Sequence, residues 1–434
     1  MTQIKMDHRQ KQTLTGIILL GVLYFAVFLW PNSLGARTES MLNATSIDEP
    51  VTYPYVIRMV TPPKDLREAV NRWLIYGDYH YGYPFYFFSS ITILPVVWIH
   101  GATFENYTQI NLLLLRQMIS VLPMILVAGF LVFSQTHFQS RWKSWTLFII
   151  LLSIRALVRN NIQWWHPDAL SVLAVVLTLF WLDRDRLRFS RNFYLAAVAC
   201  AFAIGIKLAG VFFAPLIAIY LLTGVLRKHL TVSKAALKAG VFLGIMLAVL
   251  FLSNPFLVNS GARQELVKIQ TYKTEELDLG YAHDDPYYYQ KGPQFWEWTL
   301  SNWYGQPLLL VFMVVSLAAG CLWGKRKIFN RLVLGWAIPY SIYLLWFVAV
   351  KPDHYWLPIL IPVFSAAFNL WDALPAAADR VLKFARVQLQ WKQILHGAVA
   401  LVLVAFVATN LLQPFAGIIT RYQQALNVEV NYNR

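Results

Sequence analysis

FYFFSSITILPVVWIH, residues 85–100, is apolar enough to enter a bilayer yet short for a full crossing, which needs about twenty residues. If it crossed, every later connection would change sides, so its reading decides the topology. Charge resolves the question. Lys5, Arg9 and Lys11, with the connections 141–143, 184–191, 227–238, 325–331 and 380–392, hold more than half of the 37 Lys and Arg residues. Leaving 85–100 uncrossed puts all of them on one side, which the positive-inside rule makes cytoplasmic. The stretch is therefore expected to be a juxtamembrane or re-entrant helix on the outer face.

Working outward, the chain is dominated by apolar runs: of 434 residues, 58% are hydrophobic and 14% charged, and the mean hydropathy is +0.48. Soluble domains are not built this way. The expected spans are 12–30, 109–132, 145–163, 169–181, 193–208, 211–226, 239–253, 307–323, 332–350, 356–371 and 394–413. The expected fold is thus an all-α polytopic membrane protein, a bundle of about eleven transmembrane helices in one integral membrane domain covering 1–434. Its N-terminus is expected inside and its first run to be a retained anchor. Outside would lie a first loop, 31–108, a second, 256–304, and a short tail, 414–434. The segment 380–392 has the spacing of an interfacial helix.

The net charge of +15 is spread over alternate connections, which argues against a nucleic-acid footprint. Cys200 and Cys321 lie in apolar runs and read as packing residues, with no disulfide framework.

Four polar constellations fall on the outer side. In the first loop Asp48-Glu49-Pro50 precedes Arg58, and Asp78-Tyr79-His80-Tyr81 leads into the juxtamembrane helix. A carboxylate at the membrane surface suits a general base; it equally suits solvated loop charge. Trp164-Trp165-His166-Pro167-Asp168 joins two spans, with Arg155 and Arg159 one and two turns earlier. Asp168 fits a helix start, whereas arginines within spans point to an anion or a polar cavity, or snorkel to headgroups. Arg116 and Lys207 extend that pattern. The second loop carries Lys273, several aromatic residues, and His283 with Asp284, which are candidates for a divalent metal. Finally, Lys351-Pro352-Asp353-His354-Tyr355 is a turn able to grip a phosphate, or a plain polar hairpin.

The order of these elements resembles the C-type fold of lipid-dependent glycosyltransferases, in particular the family 39-like group related to protein O-mannosyltransferases and the lipid A aminoarabinose transferase. The resemblance rests on Asp48-Glu49, Tyr83-Pro84, Arg116, Asp168, Gly205-Ile206-Lys207, Asn254-Pro255 and the turn 351–355. It implies transfer of a sugar from a polyprenyl-phosphate donor to a lipid, glycan or protein acceptor at the exoplasmic face of a plasma membrane. It further implies that Asp48 is the general base and that Glu49 and Asp168 shape the site. Arg155, Arg159, Lys207 and Lys351, then Arg58 and Arg116, are the implied phosphate ligands, with His80, His166, His354 and Tyr355 in the substrate-binding set. The chain departs from the family pattern in Pro50, which interrupts the run from acidic pair to helix. Its short tail favours a lipid or glycan acceptor. A transporter or lipid flippase is the competing class, since charges within spans also line translocation paths.

Overall fold

The computed structural model describes residues 6–34, 42, 48–280 and 290–372, with 397–398, 401, 404–406 and 409–410 beyond them. Among these the chain is helical, without strands. Helix α1, His8–Ser33, is followed by three helices of the first loop: α2 Glu49–Val60, α3 Leu66–Leu74 and α4 Tyr83–His100. Next come α5 Thr108–Leu115, a π-helical turn Arg116–Val121 and α6 Leu122–Thr136. Then follow α7 Arg141–Leu152, α8 Arg155–Asn160, α9 Asp168–Asp185, α10 Arg191–Lys207, α11 Phe213–Leu226 and α12 Val232–Leu252. The described remainder holds α13 Ser260–Leu279, α14 Glu297–Trp303, α15 Pro307–Leu322, α16 Lys327–Phe347 and α17 Leu357–Phe364.

Five described helical runs are long and apolar enough to cross a membrane, or six if the pair Pro293–Trp303 and Pro307–Leu322, bent by 95°, is one span. This makes the chain an integral, multi-pass membrane protein, but it does not reproduce eleven full spans. The run 145–163 shows why. Ile154 takes an extended backbone, φ −58° and ψ 123°, and splits the run into α7, of 12 residues, and the short α8. Twelve residues reach about 18 Å, well short of a hydrocarbon core of about 30 Å. The run 356–371 is also interrupted, α17 ending at Phe364 and residues 365–368 forming a turn. The runs 380–392 and, in the main, 394–413 lie outside the described residues.

Among the described residues, the basic connections at the N-terminus, 141–143, 184–191 and 325–331 gather at one end of the bundle. Gln10 Nε2 donates to the His137 carbonyl at 2.9 Å, Trp145 Nε1 to that of Thr13 at 3.1 Å, and Arg326 Nε to that of Ser134 at 2.6 Å while also pairing with Asp183. α9 is buried on nearly every side and packs chiefly against α10 and α6, so it forms the centre.

A second apolar core lies at the opposite end. There α4 packs on α2 and on the first turns of α5 through Tyr53, Val56, Phe85, Tyr86, Phe104 and Leu112. Both ends of α4 belong to this assembly. Before its first turn, Gly82 N–H donates to the Ile206 carbonyl at 3.1 Å; beyond its last, the chain turns at Gly101 (φ +56°) and reaches Gln109, which donates to the Ser33 carbonyl at 2.8 Å. The stretch 85–100 thus stays on the end away from the basic loops.

Candidate active site

At that opposite end the acidic pair begins α2. Pro50 occupies the first helical turn, where its missing N–H costs nothing. The expected interruption is therefore absent: the pair runs straight into a helix, Asp48 at its cap and Glu49 as its first residue.

The two acids face different surroundings. Glu49 is fully buried and bound by a two-point clamp from Arg116, Nε to Oε1 at 2.8 Å and Nη2 to Oε2 at 2.5 Å. Arg116 is equally buried and also donates to the carbonyls of Asn32 and Leu34 at 3.0 and 3.1 Å, and the Trp165 N–H donates to Glu49 Oε1 at 2.7 Å. Glu49 and Arg116 are thus bound to each other within the fold, and together they tie α1, α2, the π-helical turn and the 164–168 segment. Asp48 is only half-buried, and Trp164 Nε1 donates to its Oδ2 at 3.2 Å.

The segment 164–168 is pinned by Trp165, which stacks on Phe85 at 5.1 Å and donates to Ser89 Oγ at 2.9 Å. Asp168 then opens α9 with both oxygens engaged: Lys207 Nζ at 2.5 Å from Oδ1 and His166 Nδ1 at 2.5 Å from Oδ2, with His354 Nε2 3.9 Å away. His166 Nε2 lies 2.8 Å from the Tyr81 hydroxyl. Lys207 ends α10, where Leu208 takes φ +52°, and its ammonium stands 5.0 Å over the Tyr355 ring. His354 packs against Trp164, His166 and Tyr355. Burial holds the His354 imidazole well below its usual range, Asp168 opposing and Lys207, His166 and Arg159 reinforcing.

Arg159 pairs with Asp353 at 2.7 Å and lies 4.6 Å over Trp303 and 5.9 Å over Trp164; it remains about one-third exposed. Arg155 donates to the Asn302 carbonyl at 3.0 Å and lies 5.1 Å over Trp303. Burial raises the Asp353 carboxyl despite Arg159, and its Oδ2 has no hydrogen-bond partner.

Three further expected ligands are placed elsewhere. Lys351 is buried against Trp296, its ammonium donating to the Gln290 carbonyl at 2.7 Å and to that of Ala349. Burial and Lys291 lower its ammonium to about 8. His80 is held by Asp78 at 2.6 Å, with Tyr86 bonding the other carboxylate oxygen. Arg58 sits on the exposed face of α2 and lines a surface groove with Asn71, Arg72 and Glu105. His283 and Asp284 lie outside the described residues. Among those described, no three His, Cys, Asp or Glu side chains come together as metal ligands.

Lys273 and Tyr81 were passed over as site residues. The stretch 260–279 looks like polar loop, yet it forms α13, whose face docks on the first loop: Gln270 Nε2 donates to the Tyr79 carbonyl at 3.2 Å and Lys273 Nζ to that of His80 at 2.6 Å. Leu266 and Ile269, packed into the second core, carry the helical spacing that could have revealed it. Lys273 stands 4.6 Å over the Tyr81 ring, and burial with the nearby Lys207 charge lowers its ammonium to about 8 against the pull of Asp78, Asp48 and Glu276.

No family model and no curated protein matches the sequence. Solved structures do match in fold. The archaeal oligosaccharyltransferase AglB from Archaeoglobus fulgidus, in complex with an inhibitory peptide and a dolichol-phosphate, superposes with a TM-score of 0.54 at 13% identity over 94% of this chain and 56% of that one. ArnT from Cupriavidus metallidurans bound to undecaprenyl phosphate gives 0.51 at 13% identity over 95% of this chain and 76% of that one. The chain thus spans little more than half the length of AglB. The helical bundle and the helices of its first loop give this chain the fold of the C-type glycosyltransferases.

Proposed function

We propose that the protein transfers a sugar from a polyprenyl-phosphate-linked donor to a lipid, glycan or protein acceptor at the exoplasmic face of a plasma membrane. The observation that carries this reading is the half-buried Asp48 carboxylate, oriented by Trp164 and near the Lys273 ammonium, at the end where Lys207 and Arg159 also gather. The lipid phosphates bound to AglB and ArnT support a donor of that class.

Asp48 takes the proton of the acceptor hydroxyl or amine as its oxygen or nitrogen attacks the anomeric carbon. The bond to acceptor forms as that to phosphate breaks on the opposite face, so the anomeric centre inverts. The bonding pair leaves with the lipid phosphate, whose added charge is met by Lys273, Lys207 and Arg159. Asp168 holds Lys207 and His166 in position. Donor turnover by the protein in lipid vesicles tests the base: Asp48→Asn should lower transfer by at least about a hundredfold while undecaprenyl phosphate still binds. Retained transfer would remove Asp48 from this role.

A further inference from the structure

α9 keeps one half-exposed stripe, Leu173, Leu177, Trp181 and Arg184, spaced as successive turns of a single helix face. At the basic end of the bundle this stripe meets α6 around the Phe180 ring. Phe130, Phe133 and Trp181 stand 5.1, 6.1 and 5.0 Å from that ring, and the Arg184 guanidinium lies over it at 5.5 Å. The two helices thus form an aromatic niche that ends in charge.

That charge is one-sided. Arg184, Arg186 and Arg326 all bear on Asp183 and on His137, which ends α6 and packs against Phe133. Arg326 takes Asp183 as its partner. The other acid of this connection, Asp185, is fully buried and accepts from the Phe189 and Ser190 N–H groups at 2.8 and 2.9 Å and from the Tyr220 hydroxyl at 2.9 Å. Among the described residues, no carboxylate pairs with Arg184 or Arg186. Burial and the three guanidiniums lower the His137 imidazole to about 4. The connection is also held firmly. Arg186, Leu187 and Phe189 take φ of +50°, +59° and +53°, which non-glycine residues keep only where their surroundings impose it. Leu187 and Phe189 are buried, whereas Arg186 is exposed.

Oriented guanidiniums suit a phosphate, and an apolar strip leading up to them suits lipid chains. We infer that this niche is a site for an anionic phospholipid of the leaflet at the basic end. Arg184 and Arg186 take its headgroup phosphate, and its acyl chains lie along Phe130, Phe133, Leu177 and Trp181. A choline headgroup would bring a further cation to the same two arginines, so the site discriminates against it. The assignment needs only a membrane-embedded chain and is independent of glycosyl transfer.

Titrated in detergent and read by native mass spectrometry, the protein should bind phosphatidylglycerol about thirtyfold more tightly than phosphatidylcholine, roughly fivefold for each guanidinium. Arg184→Gln combined with Arg186→Gln should bring the two lipids level. Equal affinities in the wild type, or an undiminished preference in the double variant, would overturn the site. Displacement of the lipid by glycerol phosphate would reassign it to a soluble anion. A second readout uses the unaltered protein in nanodiscs. His137 should titrate at about 4 in phosphatidylcholine, and added phosphatidylglycerol should raise it, since a neighbouring anion favours the imidazolium. The rise should exceed that of the exposed His8 at the same end. Equal shifts at the two histidines would contradict a bound headgroup.

Discussion

Adjacent acids in one sequence can be separated by a single turn of helix. Asp48 caps α2 and keeps an open edge, whereas Glu49 points into the junction of four segments and is saturated by Arg116 and the Trp165 N–H. The buried pair fixes geometry, and its members should be costly to remove singly. Arg116→Leu, which strands the Glu49 charge, should destabilise the protein by about 3–5 kcal/mol, read as a lowered denaturation midpoint in detergent; a loss under about 1 kcal/mol would mean that the pair is not the tie described. Lys273 leads to a pH dependence. With its ammonium lowered to about 8, it is charged below that pH and neutral above it, unlike an ordinary lysine. Binding of undecaprenyl phosphate should therefore weaken as pH rises through about 8, and Lys273→Arg, which stays protonated, should bind as well at pH 9 as at pH 7. A wild-type affinity flat from pH 7 to 9 would contradict a role for this cation.

At the scale of elements, the site depends on how closely the first loop docks on the end of α10. Gly82 makes that approach possible: a Cβ there would stand 1.4 Å from the Gly205 carbonyl oxygen, where the Gly82 N–H bonds Ile206. Gly82→Ala should push the loop off α10 and carry Tyr81 away from His166, lowering transfer by tenfold or more with the bundle still folded by circular dichroism. Wild-type transfer in this variant would mean that the loop docks otherwise. The neighbouring motifs were legible as punctuation, Gly205-Ile206-Lys207 and Asn254-Pro255 both marking helix ends. Their contact with the first loop was not, because it joins residues far apart in sequence: Asn254 Oδ1 accepts from the Tyr83 N–H across 171 residues, and Ile206 O from the Gly82 N–H. The break at Ile154 was hidden for a different reason. A buried apolar run looks the same to periodicity whether or not its backbone turns.

For the whole molecule, charge alternation was enough to sort the two ends, since it depends on which loops are basic and not on helix boundaries. That logic kept 85–100 from being counted as a crossing; in the structure Gly82, just before the stretch, bonds the end of α10, and Gln109, beyond it, bonds the end of α1. The roles of single cations were much less legible. Lys351 and Arg116 occupy positions as suggestive as those of Lys207 and Arg159, yet one donates to backbone carbonyls and the other to a buried carboxylate. Sequence reports that a charge is present near the membrane; only packing reports what has already neutralised it. The proposed lipid-linked sugar reaction can be tested in cells lacking this protein. Mass spectrometry of their lipid-linked sugars and surface glycans should show a polyprenyl-phosphate sugar accumulating and one glycan or lipid modification missing, both restored by the wild-type gene and neither by Asp48→Asn. Unchanged pools of lipid-linked sugar with intact surface glycans would contradict the account.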